Sequence, residues 1–151
     1  MYLQMEMDEI DRRILKLLQR DGRLAHATIA KKVGMTGPSV LARVRRMEEA
    51  GVIRGYSVQL DEVALGRPLT AFIRVTLSGV PAVKGENAFE AFVRREPQIT
   101  ACHSVDGEDS YMLLVRTAST ASLQVLLNQM RAIRNVSRTV TSIALGCVKE
   151  G

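Results

Sequence analysis

Ile10, Ile14, Leu17 and Leu18 recur at the three- and four-residue spacing of one helical face, predicting a first helix that opens at Asp8. Asp8 can cap that helix, Asp11 suits the positive end of its dipole, and Asp21-Gly22 supplies the stop. A shorter second helix is predicted over 28–33, burying Ile29, Ala30 and Val33. A tight turn over 34–37 follows, and Pro38 suits the first turn of a third helix that runs to Ala50 and stops at Gly51. At ~100° per residue, Val40, Val44 and Met47 are assigned to the core side of this helix. Ser39, Ala42, Arg43 and Arg46 are assigned to the outer side, and Arg45 to a flank.

After Gly51 the period changes. Residues 52–60 have the β-branched and aromatic content of a strand interrupted by a glycine, and 61–68 read as a connector. The second half then alternates. Ala71, Ile73, Val75 and Leu77 form one face of a strand, with Phe72, Arg74 and Thr76 on the other. Phe89, Phe92 and Val93 mark a helix ended by Pro97; 99–105 and 111–116 are strands, the latter apolar on both faces like a central strand covered on each side. Leu123, Leu126, Leu127, Met130 and Ile133 fit another helix, and 136–145 a last strand. The order βαββαβ is the ferredoxin-like arrangement, so the fold class is α+β: three helices, then a split-βαβ domain. That architecture hosts many functions and selects none by itself.

The 151 residues, 46% hydrophobic and 25% charged, have ordinary globular composition. Two halves of ~70 residues would each be marginal alone, which favours self-association. No apolar run approaches the ~20 residues that span a bilayer, and the acidic start lacks the basic-then-apolar pattern of a signal peptide; the expectation is a cytoplasmic protein with no membrane partner. Cys102 and Cys147 stand far apart without a CxxC pair, and the histidines are His26 and His103. Buried, inert thiols are therefore expected, with no metal site and no cofactor.

The charge is informative by its location. Residues 12–46 hold ten basic side chains and one acid, a local +9 in a chain of net charge +5, so the remainder is acidic. Such a segregated block is the footprint of a nucleic-acid surface, whereas solvated helix faces usually mix both signs. Three short helices joined by a glycine turn, the third with a basic outer face, describe a helix-turn-helix. Ala30 permits close approach of the second and third helices, and Gly34 the unusual backbone of the turn. The third helix would enter the major groove of double-stranded DNA with Thr36, Ser39, Arg43 and Arg46 as candidate contacts; arginine can bond guanine bidentately. Lys31, Lys32, Arg12 and Arg13 are candidates for the phosphate backbone. A basic three-helix bundle used for protein contacts is the competing interpretation. An enzyme is not expected: there is no nucleophile elbow, metal cluster or phosphate-binding glycine loop. Cys102 and His103 are strand neighbours that point to opposite faces.

The runs MDEIDRRILKLLQRDGRLAHATIAKKVGMT, LARVRRMEEAGVIRGY, VDGEDSYMLLVR and TVTSIALGCVK together resemble the Lrp/AsnC (feast/famine) transcriptional regulators over nearly the whole chain. The resemblance implies a winged-type helix-turn-helix DNA-binding domain over 1–51 and a strand and linker over 52–67. It implies a ferredoxin-like effector-binding and oligomerisation domain over 68–151. It further implies homodimers, often assembled into octamers, and effectors that are usually amino acids, bound between dimers near a glycine-centred loop. In this chain that loop is Asp106, Gly107, Glu108, Asp109, Ser110 and Tyr111, and Thr139 and Thr141 match threonines that help line the site. The loop also makes chemical sense by itself, since Gly107 lets backbone amides approach a ligand carboxylate and Glu108 or Asp109 could hold an ammonium group. A polar hairpin tip is the plainer alternative. Ser110 stands where many members carry an acid. An architectural DNA-compacting protein without regulated ligand binding is the alternative function.

Overall fold

The computed structural model describes residues 6–79 and 87–149, and the leading residues 1–5 of the segment read for a targeting signal lie outside them. The chain divides into two compact units, residues 1–59 and 60–151.

In the first unit, α1 (Glu9–Arg20), α2 (His26–Val33) and α3 (Gly37–Glu49) follow in order. Asp8 caps α1 through a reciprocal box: its carboxylate accepts the Asp11 N–H at 2.8 Å, and the Asp11 carboxylate accepts the Asp8 N–H at 3.2 Å. α2 begins two residues before the predicted Thr28, and Ala25 caps it without a side-chain hydrogen bond. Its amphipathic face, not a capping signal, sets that boundary: Ile29, Ala30 and Val33 are all buried. Gly34 ends α2 in the left-handed region, φ 72°, where a side chain is disfavoured. Thr36 caps α3, and Pro38 sits in its first turn. Ile14, Ile29, Ala30, Val33, Val40, Val44 and Met47 make the core.

Residues 52–60 form no strand, contrary to expectation. Val52 and Ile53 close the end of α3 by donating to the Met47 carbonyl, and Ile53 packs on the core. Beyond that, Tyr56, Val58 and Leu60 are exposed. A strand needs a ladder partner, and the described residues of this unit offer none. In the connector, the Asp61 carboxylate accepts the Val63 and Ala64 N–H groups, and Glu62 pairs with Arg67 at 2.8 Å.

The second unit runs β1 (Leu69–Leu77), α4 (Ala88–Arg95), β2 (Ile99–Ser104), β3 (Tyr111–Thr117), α5 (Thr120–Arg131) and β4 (Val136–Ile143). The sheet order is β2-β3-β1-β4, with each neighbouring pair antiparallel. Ala71, Ile73, Val75, Leu113 and Val115 pack against Phe89, Leu123, Leu126, Leu127 and Met130, so both helices cover one face. The expectation that β3 is covered on each side fails within the chain: Phe72 and Met112, on the other face, are 48% and 44% exposed. The two thiols are not both buried as expected either. Cys102 is half-buried on the helix-covered face, while Cys147, beyond the end of β4, is exposed.

Candidate DNA-binding surface and effector pocket

α3 exposes Ala42 and Arg46 as the helical wheel assigned, but not Arg43. Arg43 is not on the outer side. It lies four residues before the buried Met47, about 40° from it around the helix, which places it beside the core stripe. There its Nη1 donates to Asp8 Oδ2 at 2.7 Å and to Asp11 Oδ1 at 2.8 Å. Arg46 Nη2 donates to Asp11 Oδ2 at 2.7 Å, with about half of its side chain still exposed. Asp11 itself is fully buried. Arg43 holds the Asp8 carboxyl below its ordinary 3.8, second only to the Asp11 backbone N–H, and both acids push the guanidinium of Arg43 upward.

Arg45 is the outward arginine. It lies roughly 160° from Met47, is exposed, and makes no hydrogen bond or ion pair among the described residues. Its spacing from Met47 was the signal that could have found it. Thr36 and Ser39 sit at the start of α3, their hydroxyls 2.8 Å apart, with Thr36 Oγ1 accepting the Ser39 N–H at 3.4 Å. Thr36 is therefore a cap as well as a candidate contact. Lys31 and Lys32 are exposed in the last turn of α2, and Arg12 is exposed on α1. Arg13 donates to the Lys32 carbonyl at 2.8 Å, tying α1 to the end of α2.

In the second unit, a cavity of about 390 Å³ opens where the 106–111 loop meets the end of β1 and the start of α4. Asp106, Gly107, Asp109, Ser110 and Tyr111 line it. Glu108 is exposed and outside the lining; Thr139 and Thr141 are half-buried and also outside it. Those threonines pair with Val75 and Ile73, which places them on the helix-covered face. Thr139 Oγ1 accepts from Arg131 Nε at 2.9 Å, while Thr141 Oγ1 is buried without a partner.

The loop's acids divide by their surroundings. Asp109 accepts from Thr76 Oγ1 at 3.1 Å and pairs with Arg74 at 3.5 Å and Arg138 at 3.3 Å. Its charge is already matched within the chain, which removes it as a free counter-ion for an ammonium group. Asp106 is exposed at the cavity and has no such pairing among the described residues. Gly107 has φ 125°, and an added Cβ would meet nothing within 4 Å. The Tyr111 hydroxyl donates to Glu90 Oε1 at 2.5 Å and accepts from Asn87 Nδ2 at 3.1 Å. Burial and the Glu90 carboxylate push its ionisation upward, so it stays a neutral phenol. Burial likewise pushes the Cys102 thiol up, with Glu90 adding to the effect.

Asn135 also lines the cavity, and its buried Oδ1 has no hydrogen-bond partner. Nothing in the local sequence marks Asn135 or Asn87. The topology brings the turn before β4 and the cap of α4 to the same loop.

The sequence matches the AsnC-type helix-turn-helix domain over residues 7–48 and the Lrp/AsnC ligand binding domain over 70–151. It is 38% identical over 141 residues to the HTH-type transcriptional regulator LrpA of Mycobacterium tuberculosis, covering 92% of this chain and 90% of that protein. It is 36% identical over 151 residues to the leucine-responsive regulatory protein of Rhizobium meliloti, covering 99% and 96%. The solved feast or famine regulatory protein of M. tuberculosis complexed with L-methionine superposes with a TM-score of 0.85 at 35% identity, covering 96% of each chain.

Proposed function

The chain belongs to the Lrp/AsnC family of transcriptional regulators, and from that premise we propose that it reads DNA with α3 and answers to an amino acid bound at the Gly107 loop. The observation that carries this reading is the cavity itself. A helix-turn-helix with a local charge of +9 precedes, in the same chain, a domain whose glycine-centred loop borders about 390 Å³ of space. That volume falls in the range of small-molecule sites, roughly 300–1,000 Å³.

Double-stranded DNA is engaged in two ways. Lys31, Lys32, Arg12 and Arg13 take the phosphates, supplying affinity that falls with salt. Thr36, Ser39, Arg45 and Arg46 lie at or near base edges, where sequence is read. Arg43 serves as a tie between α3 and α1, not as a base contact. At the second site Asp106 faces the ammonium group of an amino acid, the backbone at Gly107 accommodates its carboxylate, and the Asn135 acceptor is available to a ligand donor.

The uncovered sheet face, with Phe72 and Met112, is a homodimer interface, and dimers assemble further around the effector loops. The exposed apolar residues of that face favour burial against a second copy. Residues 1–51 form the DNA-binding domain, 52–67 the linker and 68–151 the effector and assembly domain of a regulator acting in the cytoplasm.

The test is selection of bound duplexes from a random pool by the full-length protein, with and without the twenty amino acids. Recovery of a pseudo-palindromic motif whose occupancy changes with one of them is the expected result. Weak sequence preference with steep salt dependence and no response to any amino acid favours an architectural protein instead.

A further inference from the structure

Asp11 is the one charged side chain in the buried set among the described residues. A carboxylate out of water is tolerated when it is paired and hydrogen-bonded, and Asp11 is so on every side. It receives Arg43 at 2.8 Å, Arg46 at 2.7 Å and the Asp8 N–H at 3.2 Å. The capping box of α1 is thus also the receptor for two guanidinium groups one turn apart on α3. Asp8 adds a second acceptor to Arg43 at 2.7 Å.

This arrangement runs against simple DNA affinity. A surface built only to attract phosphate leaves its arginines uncompensated, because each neutralised phosphate adds to the affinity. Here two acids offset two arginines on the helix that faces DNA. What the pairing secures is orientation. Arg43 and Arg46, three residues apart, fix the rotation of α3 about its own axis, because charge-assisted hydrogen bonds from both converge on the one Asp11 carboxylate. Arg46 is held through Nη2 while half of its side chain stays exposed, which leaves other donors of the same guanidinium for a partner outside the protein.

We infer that Asp11 is a positioning residue for sequence readout: through Arg43 it sets the rotation of α3, and through Arg46 it pre-orients a guanidinium toward DNA. The inference rests on the DNA-binding role of α3. It differs from a role in affinity or in stability because it separates specific from non-specific binding.

The experiment measures affinity of the full-length protein for a duplex selected by the wild type and for a random duplex, at one salt concentration. Asp11→Asn removes a negative charge and keeps the shape. Pure electrostatics then predicts tighter binding to both duplexes. Positioning predicts that affinity for the selected duplex falls by about tenfold or more, while affinity for the random duplex holds or rises. Arg43→Lys keeps the charge but ends one bond short of Nη1, the atom that holds both Asp8 and Asp11, and the same loss of preference is expected. Arg43→Lys also carries the test if Asp11→Asn does not fold. Equal loss on both duplexes, or an unchanged ratio in the folded variants, overturns the assignment. A wild type that selects no sequence would remove the DNA-reading premise and the assignment with it, and is distinguishable because it is seen before any variant is made.

Discussion

The Ser110 hydroxyl accepts the backbone N–H of Leu77 at 3.0 Å, at the point where the pairing of β1 with β4 slips between Thr76 and Leu77. The Ser110 N–H donates to the Val75 carbonyl at 2.8 Å, and its carbonyl accepts from Val105 at 3.1 Å. A single residue, through its backbone and its hydroxyl, therefore extends the β1–β3 ladder past the strand end and fastens the 106–111 loop to the sheet. Ser110→Ala leaves the Leu77 N–H without this acceptor, and should cost about 1–2 kcal/mol in urea unfolding at fixed protein concentration. Ser110→Asp can supply an acceptor, and should lose less than the alanine variant.

Gly107→Val should abolish any response to the effector. A β-branched residue at φ 125° is strained by about 1–3 kcal/mol, and it displaces the backbone that lines the cavity. A ligand at about 100 times its Kd raises wild-type stability by roughly 2.7 kcal/mol, read as a rise in Tm across the twenty amino acids. The variant should show no rise yet still bind DNA. A variant that responds as well as the wild type would move the pocket elsewhere.

The open sheet face should carry the dimer contact. Phe72→Asp places a charge among exposed apolar side chains, and should convert the dimer to a monomer at micromolar concentration in sedimentation velocity. A dimer that persists unchanged would assign the interface to another surface.

Acid should loosen the first unit through Asp8. Its folded pKa lies below the ordinary 3.8, so the stabilisation is present above 3.8 and is lost as pH falls through the folded value. Asp8→Asn should flatten the pH dependence of Tm below pH 3.8 and leave it unchanged near neutrality.

Two basic residues should separate by function. Lys32→Ala is expected to weaken all sequences alike and to reduce the salt slope by about 0.9. Arg45→Ala should cost about 1–3 kcal/mol on the selected duplex and relax preference at one base pair of each half-site. If the motif selected by Arg45→Ala matches that of the wild type, Arg45 is a phosphate contact.

Most elements were legible in the chain because their signals are local. Asp8 with Asp11, Gly34, Pro38 and the alternation through β1 mark boundaries and faces wherever the rest of the protein lies. The strand expected over 52–60 failed for a matching reason: β content predicts an extended chain, but only a neighbour can turn that chain into a ladder. The basic block and the glycine of the loop were likewise read directly from residue type and spacing.

What the sequence by itself determined is the order of the helices and strands that formed and the apolar residues that most of them bury. Tertiary structure decided which charges remain available. Arg43 and Asp109 look like open functional groups in the sequence, yet one is held by Asp8 and Asp11 and the other by Arg74, Arg138 and Thr76. Each pairing with Arg43 or Asp109 joins residues 29 to 35 positions apart. Hydrophobic periodicity is a property of neighbours along the chain, whereas a charge is satisfied by whatever folding brings within about 3 Å of it.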